Sequence, residues 1–202
     1  MRPWRQHRTG KTARRAAVIA AALFALPVAA AVMWFAFPYA SYRVYMAWLA
    51  SGVGGGYVRL PASLAAELRP RYADDISTAS VAFTTRLPKN LAVSDCKTVY
   101  FGNDELVAAL REGRSLSAGQ LHWLAHELTH GEQCERWGGR KAFAETWFRQ
   151  ADAAAWRTVT AGGLAAGITE YVRTQYVRGL HDSMPMEIEA DERAGAVTGT
   201  RR

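Results

Sequence analysis

The sequence predicts an α+β protein: a small antiparallel sheet, a mainly helical remainder, and one transmembrane helix ahead of both. Three observations predict it. Residues 16–37 carry no charged side chain and follow a strongly basic leader. Two short runs, Ser80–Thr84 and Lys97–Phe101, are rich in β-branched and aromatic residues and are bounded by turn formers. Beyond them apolar side chains recur at helical spacing nearly to the C-terminus.

Taken in order, residues 1–15 hold Arg2, Arg5, Arg8, Lys11, Arg14 and Arg15, and read as a cytoplasmic leader. The apolar run behind them is long enough, at 1.5 Å per residue, to span roughly 30 Å, the thickness of a bilayer core. Residues 16–40 are therefore expected to anchor the chain in the cytoplasmic (inner) membrane, with Trp34 and Tyr39 at the far interface. The rest would then face the extracytoplasmic, periplasmic side. The alternative is a signal peptide cut near Ala29-Ala30-Ala31, leaving a secreted domain. Residues 41–57 read as a juxtamembrane helix and a Gly-rich linker, and residues 58–202 as the folded domain.

Within that domain Pro61–Leu68 reads as a short helix, and the two β-rich runs as neighbouring strands. Asn103 or Asp104 can cap a helix over Glu105–Arg111. Ser117 and Gln120 have capping-box spacing and open a longer helix that Gly138-Gly139 ends. Phe143, Trp147, Ala151 and Ala154 form one helical stripe, and Leu164, Ile168, Tyr171, Val172 and Tyr176 another. Pro185 suits the first turn of a last helix.

The net charge of +7 comes almost wholly from the leader, since the remainder holds 19 bases against 18 acids. A nucleic-acid-binding domain would carry its excess charge on the folded body, so that class is set aside. Cys96 and Cys134 are the two cysteines. In an oxidising compartment one bridge is their simplest use, worth about 4 kcal/mol by loop-closure entropy.

The chemistry is concentrated in His126-Glu127-Leu128-Thr129-His130. Residues four apart on a helix share a face, so two imidazoles can reach one Zn²⁺ at about 2.0 Å each. Glu127, turned about 100° around the helix, can take a proton from metal-activated water and pass it to a leaving amine. A third ligand is needed. The metzincin extension is excluded, because Gln133 and Arg136 stand where its glycine and histidine would be. A carboxylate from Glu187-Ile188-Glu189-Ala190-Asp191 is the other solution. Glu187 could bind the metal while Asp191, four residues on, accepts the second N–H of a ligand histidine. Glu189 is the fallback ligand, and dipole complementarity at a helix start would also account for these acids.

These segments, with the preceding strands, resemble the minigluzincin group, specifically the family named for the domain of unknown function DUF4157. The resemblance runs from about Val58 to Ala194. It implies a minimal zincin core with a His₂Glu zinc site: ligands His126, His130 and Glu187, general base Glu127, and a supporting Asp191. It further implies that an edge strand, with Lys97–Phe101 the candidate, pairs with an extended peptide. The expected activity is hydrolysis of peptide or protein by a membrane-anchored, zinc-dependent metallopeptidase. A zinc-stabilised protein-interaction module without catalysis is the alternative, and a metal-free scaffold the third reading. His122 is a possible fourth ligand, and His181, Arg193 and Tyr176 are candidates to stabilise the transition state.

Overall fold

The computed structural model describes residues 36–73, 75–174 and 182–199, with 14, 15, 19 and 25 besides. The chain divides into two units, Met1–Ser41 and Tyr42–Arg202. Leader and anchor fall largely outside the described residues. Among those described, no helix is long and apolar enough to cross a membrane. The expected transmembrane helix, and the inner-membrane placement built on it, are therefore withdrawn.

The second unit is α+β with most of its residues in helices. In chain order it runs α1 (Pro38–Ser51), β1 (Val53–Arg59), α2 (Ala62–Leu68), β2 (Ser80–Thr84), β3 (Ala92–Asp95), β4 (Thr98–Phe101), α3 (Asp104–Arg111), α4 (Ala118–Arg136), α5 (Arg140–Thr174) and α6 (Pro185–Thr198). Helix α1 begins in the first unit and α5 is broken at Gly163 (φ 77°, ψ 165°).

The sheet is mixed, not antiparallel as expected. Its order is β1-β2-β4-β3: β1 is antiparallel to β2, β2 parallel to β4, and β3 antiparallel to β4. The physical reason is a short strand that the sequence hides. After β2 the chain returns as β3, Ala-Val-Ser-Asp, and turns at Cys96 (φ 48°) into β4. One extra reversal makes the two obvious strands parallel. The glycine-rich run read as a linker is the edge strand β1. Gly55 and Gly56, at φ 73° and 78°, form a bulge there, and the register shifts between Gly54 and Tyr57.

Every residue of β4 from Val99 to Phe101 is buried, as a strand flanked on both sides requires. Leu124 and Leu128, four apart on α4, join Val81, Val99 and Phe101 in the core under the sheet. Each such side chain contributes about 1.5–3 kcal/mol. The Phe101 ring meets Trp123 edge-on at 4.8 Å. Helix α4 starts at a complete capping box, Ser117 with Gln120, and α3 at Asn103, whose side chain accepts from Glu105 N–H.

The β3–β4 turn is stapled to α4 by the Cys96–Cys134 disulfide, with Cα atoms 5.3 Å apart. The approach is close: a Cβ on Gly131 would lie 2.5 Å from the Cys96 carbonyl oxygen, so glycine is required on that face of the helix. On the other side Asp95 accepts from Tyr42 Oη at 2.9 Å and Arg140 Nε at 2.8 Å, joining β3 to α1 and α5. The sheet edge, α1, α4 and the start of α5 are thereby held as one frame.

Candidate metal centre

Helix geometry turns His126 and His130 to one side of α4, and α6 packs against that side. Pro185 at the first turn of α6 sets its start, and Gln150 of α5 accepts from the Met186 N–H at 3.0 Å. Glu187 follows, with the buried Met184 and Met186 just before it. Its carboxylate meets both imidazoles. Glu187 Oε2 is 3.1 Å from His126 Nε2 and 3.1 Å from His130 Nε2, and the two nitrogens are 3.2 Å apart.

These three atoms form a nearly equilateral triangle. A tetrahedral ion about 2.0 Å from each donor would hold them about 3.3 Å apart. His126, His130 and Glu187 are all buried, and among the described residues they are the group that could hold a metal ion. Electrostatics favours positive charge at the same point. Burial alone would depress the His126 imidazole, but hydrogen bonds to Asp191 and Glu187 and the charge of Glu127 push its pKa up to about 10. His130 is raised too, against its burial, chiefly by the Glu187 carboxylate.

A second layer holds the donors. Asp191, four residues beyond Glu187 on α6, places Oδ1 2.9 Å from His126 Nδ1. An ionised carboxylate can only accept, so Nδ1 carries a proton, and the ring that gives up its other proton to a metal has its lone pair on Nε2. His130 Nδ1 lies 2.9 Å from Gln133 Oε1. Phe143 packs edge-on to the His130 ring at 6.2 Å, and Trp137 stacks on Phe143. Behind α4, the buried Glu132 accepts from Arg193 at 2.6 and 2.7 Å and from the Ala73 N–H at 3.1 Å. Arg193 also lies over the Tyr72 ring, whose hydroxyl donates to the Ala125 carbonyl beside His126. Burial raises the Tyr72 hydroxyl to about 12, so it stays a donor at neutral pH.

Glu127 is buried next to His126, and its negative charge raises both histidines. Its backbone carbonyl accepts from Ser94 Oγ at 3.0 Å, seating edge strand β3 against α4. Several expected roles are corrected. Thr98–Phe101 is paired on both sides and offers no free edge; the edge on that side is β3. Glu189, the fallback ligand, instead pairs with Arg136 and Gln133. His122 lies one turn before His126, 3.9 Å from Asp191 Oδ1, and stays outside the metal-competent group. Arg193 is committed to Glu132. His181 and Tyr176 lie outside the described residues.

Gln133 and the Glu132–Arg193 pair were not anticipated. Gln133 stands three residues after His130, a spacing that puts it on the same helix face, and this was the available signal. Nothing local marks Glu132, because its partner arrives from a helix 61 residues away. Comparison with protein families, with characterised proteins and with solved structures gives no match to this chain.

Proposed function

We propose that the chain is a zinc metallopeptidase of gluzincin type that cleaves peptide bonds with Glu127 as general base. The observation that carries this reading is the triangle of donors 3.1–3.2 Å apart, with a buried carboxylate on the next residue of the same helix. Two imidazoles and one carboxylate are a donor set found in hydrolytic zinc sites, and three protein donors leave a fourth position open. Zinc bound there supplies Lewis acidity, polarising a scissile carbonyl and lowering the pKa of water towards about 7.

The chain's own groups do the rest. Asp191 keeps a proton of His126 on Nδ1, which would leave Nε2 as the atom to hold a metal. Glu127 takes the proton of the attacking water and delivers it to the leaving amine. Edge strand β3, seated on α4 through Ser94, supplies backbone groups for an extended peptide. The resemblance of the His126–Gln133 and Glu187–Asp191 segments to minigluzincins supports the same reading.

Hydrolysis of a fluorogenic peptide library by the purified chain tests it. Cleavage is expected with zinc and not with chelator, and Glu127→Gln should lower it roughly 100-fold or more while still binding zinc. Undiminished cleavage by Glu127→Gln would overturn the mechanism. A second reading, a zinc-stabilised interaction module, is favoured by one observation: the same three side chains join α4 to α6. Unfolding on chelation, together with no cleavage of any peptide, would select it.

A further inference from the structure

Gln133 is fully buried on α4, one turn beyond His130. One end of its amide faces two groups that can only accept hydrogen bonds, the Met186 carbonyl at 2.9 Å and Glu189 Oε2 at 3.1 Å. That end must be the NH₂. The other end is then the carbonyl oxygen, 2.9 Å from His130 Nδ1. An amide oxygen cannot donate, so Nδ1 carries a proton, and the ring that gives up its other proton to a metal has its lone pair on Nε2, the atom that meets Glu187.

The orientation of the amide is itself held. Arg136 grips Glu189 through both terminal guanidinium nitrogens, at 2.8 and 2.7 Å, which keeps the carboxylate in place as an acceptor. Met186, the other acceptor, immediately precedes Glu187, so the NH₂ of Gln133 also fastens the backbone that carries the third donor.

We propose that Gln133 is a positioning residue of the metal centre, one amide that sets the His130 tautomer and the place of Glu187 together, with Glu189 and Arg136 fixing its orientation. An amide is what this spot requires. A carboxylate could accept from His130 but would have no proton for Met186 and would face Glu189 as a like charge. The ligand histidines are therefore held by unlike partners, His126 by an ionised carboxylate and His130 by a neutral amide.

The inference rests on the metal-centre reading, so zinc uptake by the unaltered chain is measured first; no uptake would overturn that reading and this one with it. Zinc affinity is then read by competition with a chromophoric chelator, beside the cobalt absorption spectrum and the melting temperature of the metal-free protein. Gln133→Met, which keeps the volume and removes the amide, should bind zinc roughly 10–100-fold more weakly and alter the cobalt bands. A purely structural role would lower the metal-free melting temperature and leave affinity and spectrum unchanged, and that result overturns the proposal. Should Gln133→Met not fold, Glu189→Ala decides. It removes one of the two acceptors on the partly exposed side, and should weaken zinc about threefold or more; unchanged affinity there overturns the proposal too.

Discussion

Truncating Arg193 to methionine should destabilise the domain in a way that removing its partner reverses. Glu132 is buried, with its side chain 6% exposed, and Arg193 supplies two of its contacts at 2.6 and 2.7 Å. Without Arg193 the carboxylate keeps only the Ala73 N–H among the donors described. Leaving a buried charge without its ion partner costs about 3–5 kcal/mol. The guanidinium is a quarter exposed, so solvent screening reduces this to about 2–4 kcal/mol. For a chain of this length each kcal/mol moves the melting temperature by about 2–4 °C, giving an expected fall of roughly 5–15 °C. The assay is thermal unfolding of four chelator-treated proteins: unaltered, Arg193→Met, Glu132→Leu and the double variant. With both charges gone no buried ion is stranded, so the double variant should melt well above Arg193→Met. If its loss instead equals the sum of the single losses, the pair is not what joins α6 to α4, and the account fails.

Two further outcomes are expected. Asp191→Ala should weaken zinc roughly 10–100-fold, because His126 loses the acceptor that fixes its tautomer; chelator competition measures this, and an unchanged affinity would remove Asp191 from the centre. The metal-free protein should lose stability as pH rises. The folded pKa of His126 stands at about 10, above an unfolded value of about 6.5, so the folded state holds this proton more tightly. The stabilisation is complete below about 6.5 and disappears as pH passes through about 10, with His130 shifted the same way. Urea midpoints should fall across that interval, while zinc affinity rises, since the metal must displace the proton. Midpoints that stay level would remove the raised histidines from the account.

How much was legible follows from the range of each interaction. The His126–His130 pair, the Ser117 capping box and the Pro185 helix start depend on residues within one or two turns, and such spacing can be read from the chain. Ser80–Thr84 and Thr98–Phe101 were visible for the same reason, because both are buried and β-branched or aromatic. The strand Ala92–Asp95 was not, being four residues long with two polar members. Nor was Val53–Arg59, since glycine at three of its seven positions carries no strand signal. Missing the first of these turned a mixed sheet into an antiparallel one, and so misplaced the edge strand. The apolar run over 16–37 carries a hydropathy signal strong enough to suggest an anchor, yet no described helix meets the length and apolarity that crossing a bilayer demands.

From the sequence alone came the pairing of two imidazoles on one helical turn, with an acid between them and a second pair of acids four residues apart near the C-terminus. Those follow from the pitch of the α-helix, which is the same in every protein. The four-residue spacing also offered Glu187 as ligand with Asp191 behind a histidine, ahead of Glu189, and the structure has Glu187 at both imidazoles and Asp191 at His126 Nδ1. That Gln133 holds His130 and that β3 borders α4 were decided by tertiary packing alone. Glu187 and Glu189 are both acidic and two residues apart, but a turn of about 200° separates them on α6. One therefore enters the buried triangle while the other meets Gln133 and Arg136 at its margin, and the docking of α6 on α4 puts each in its place.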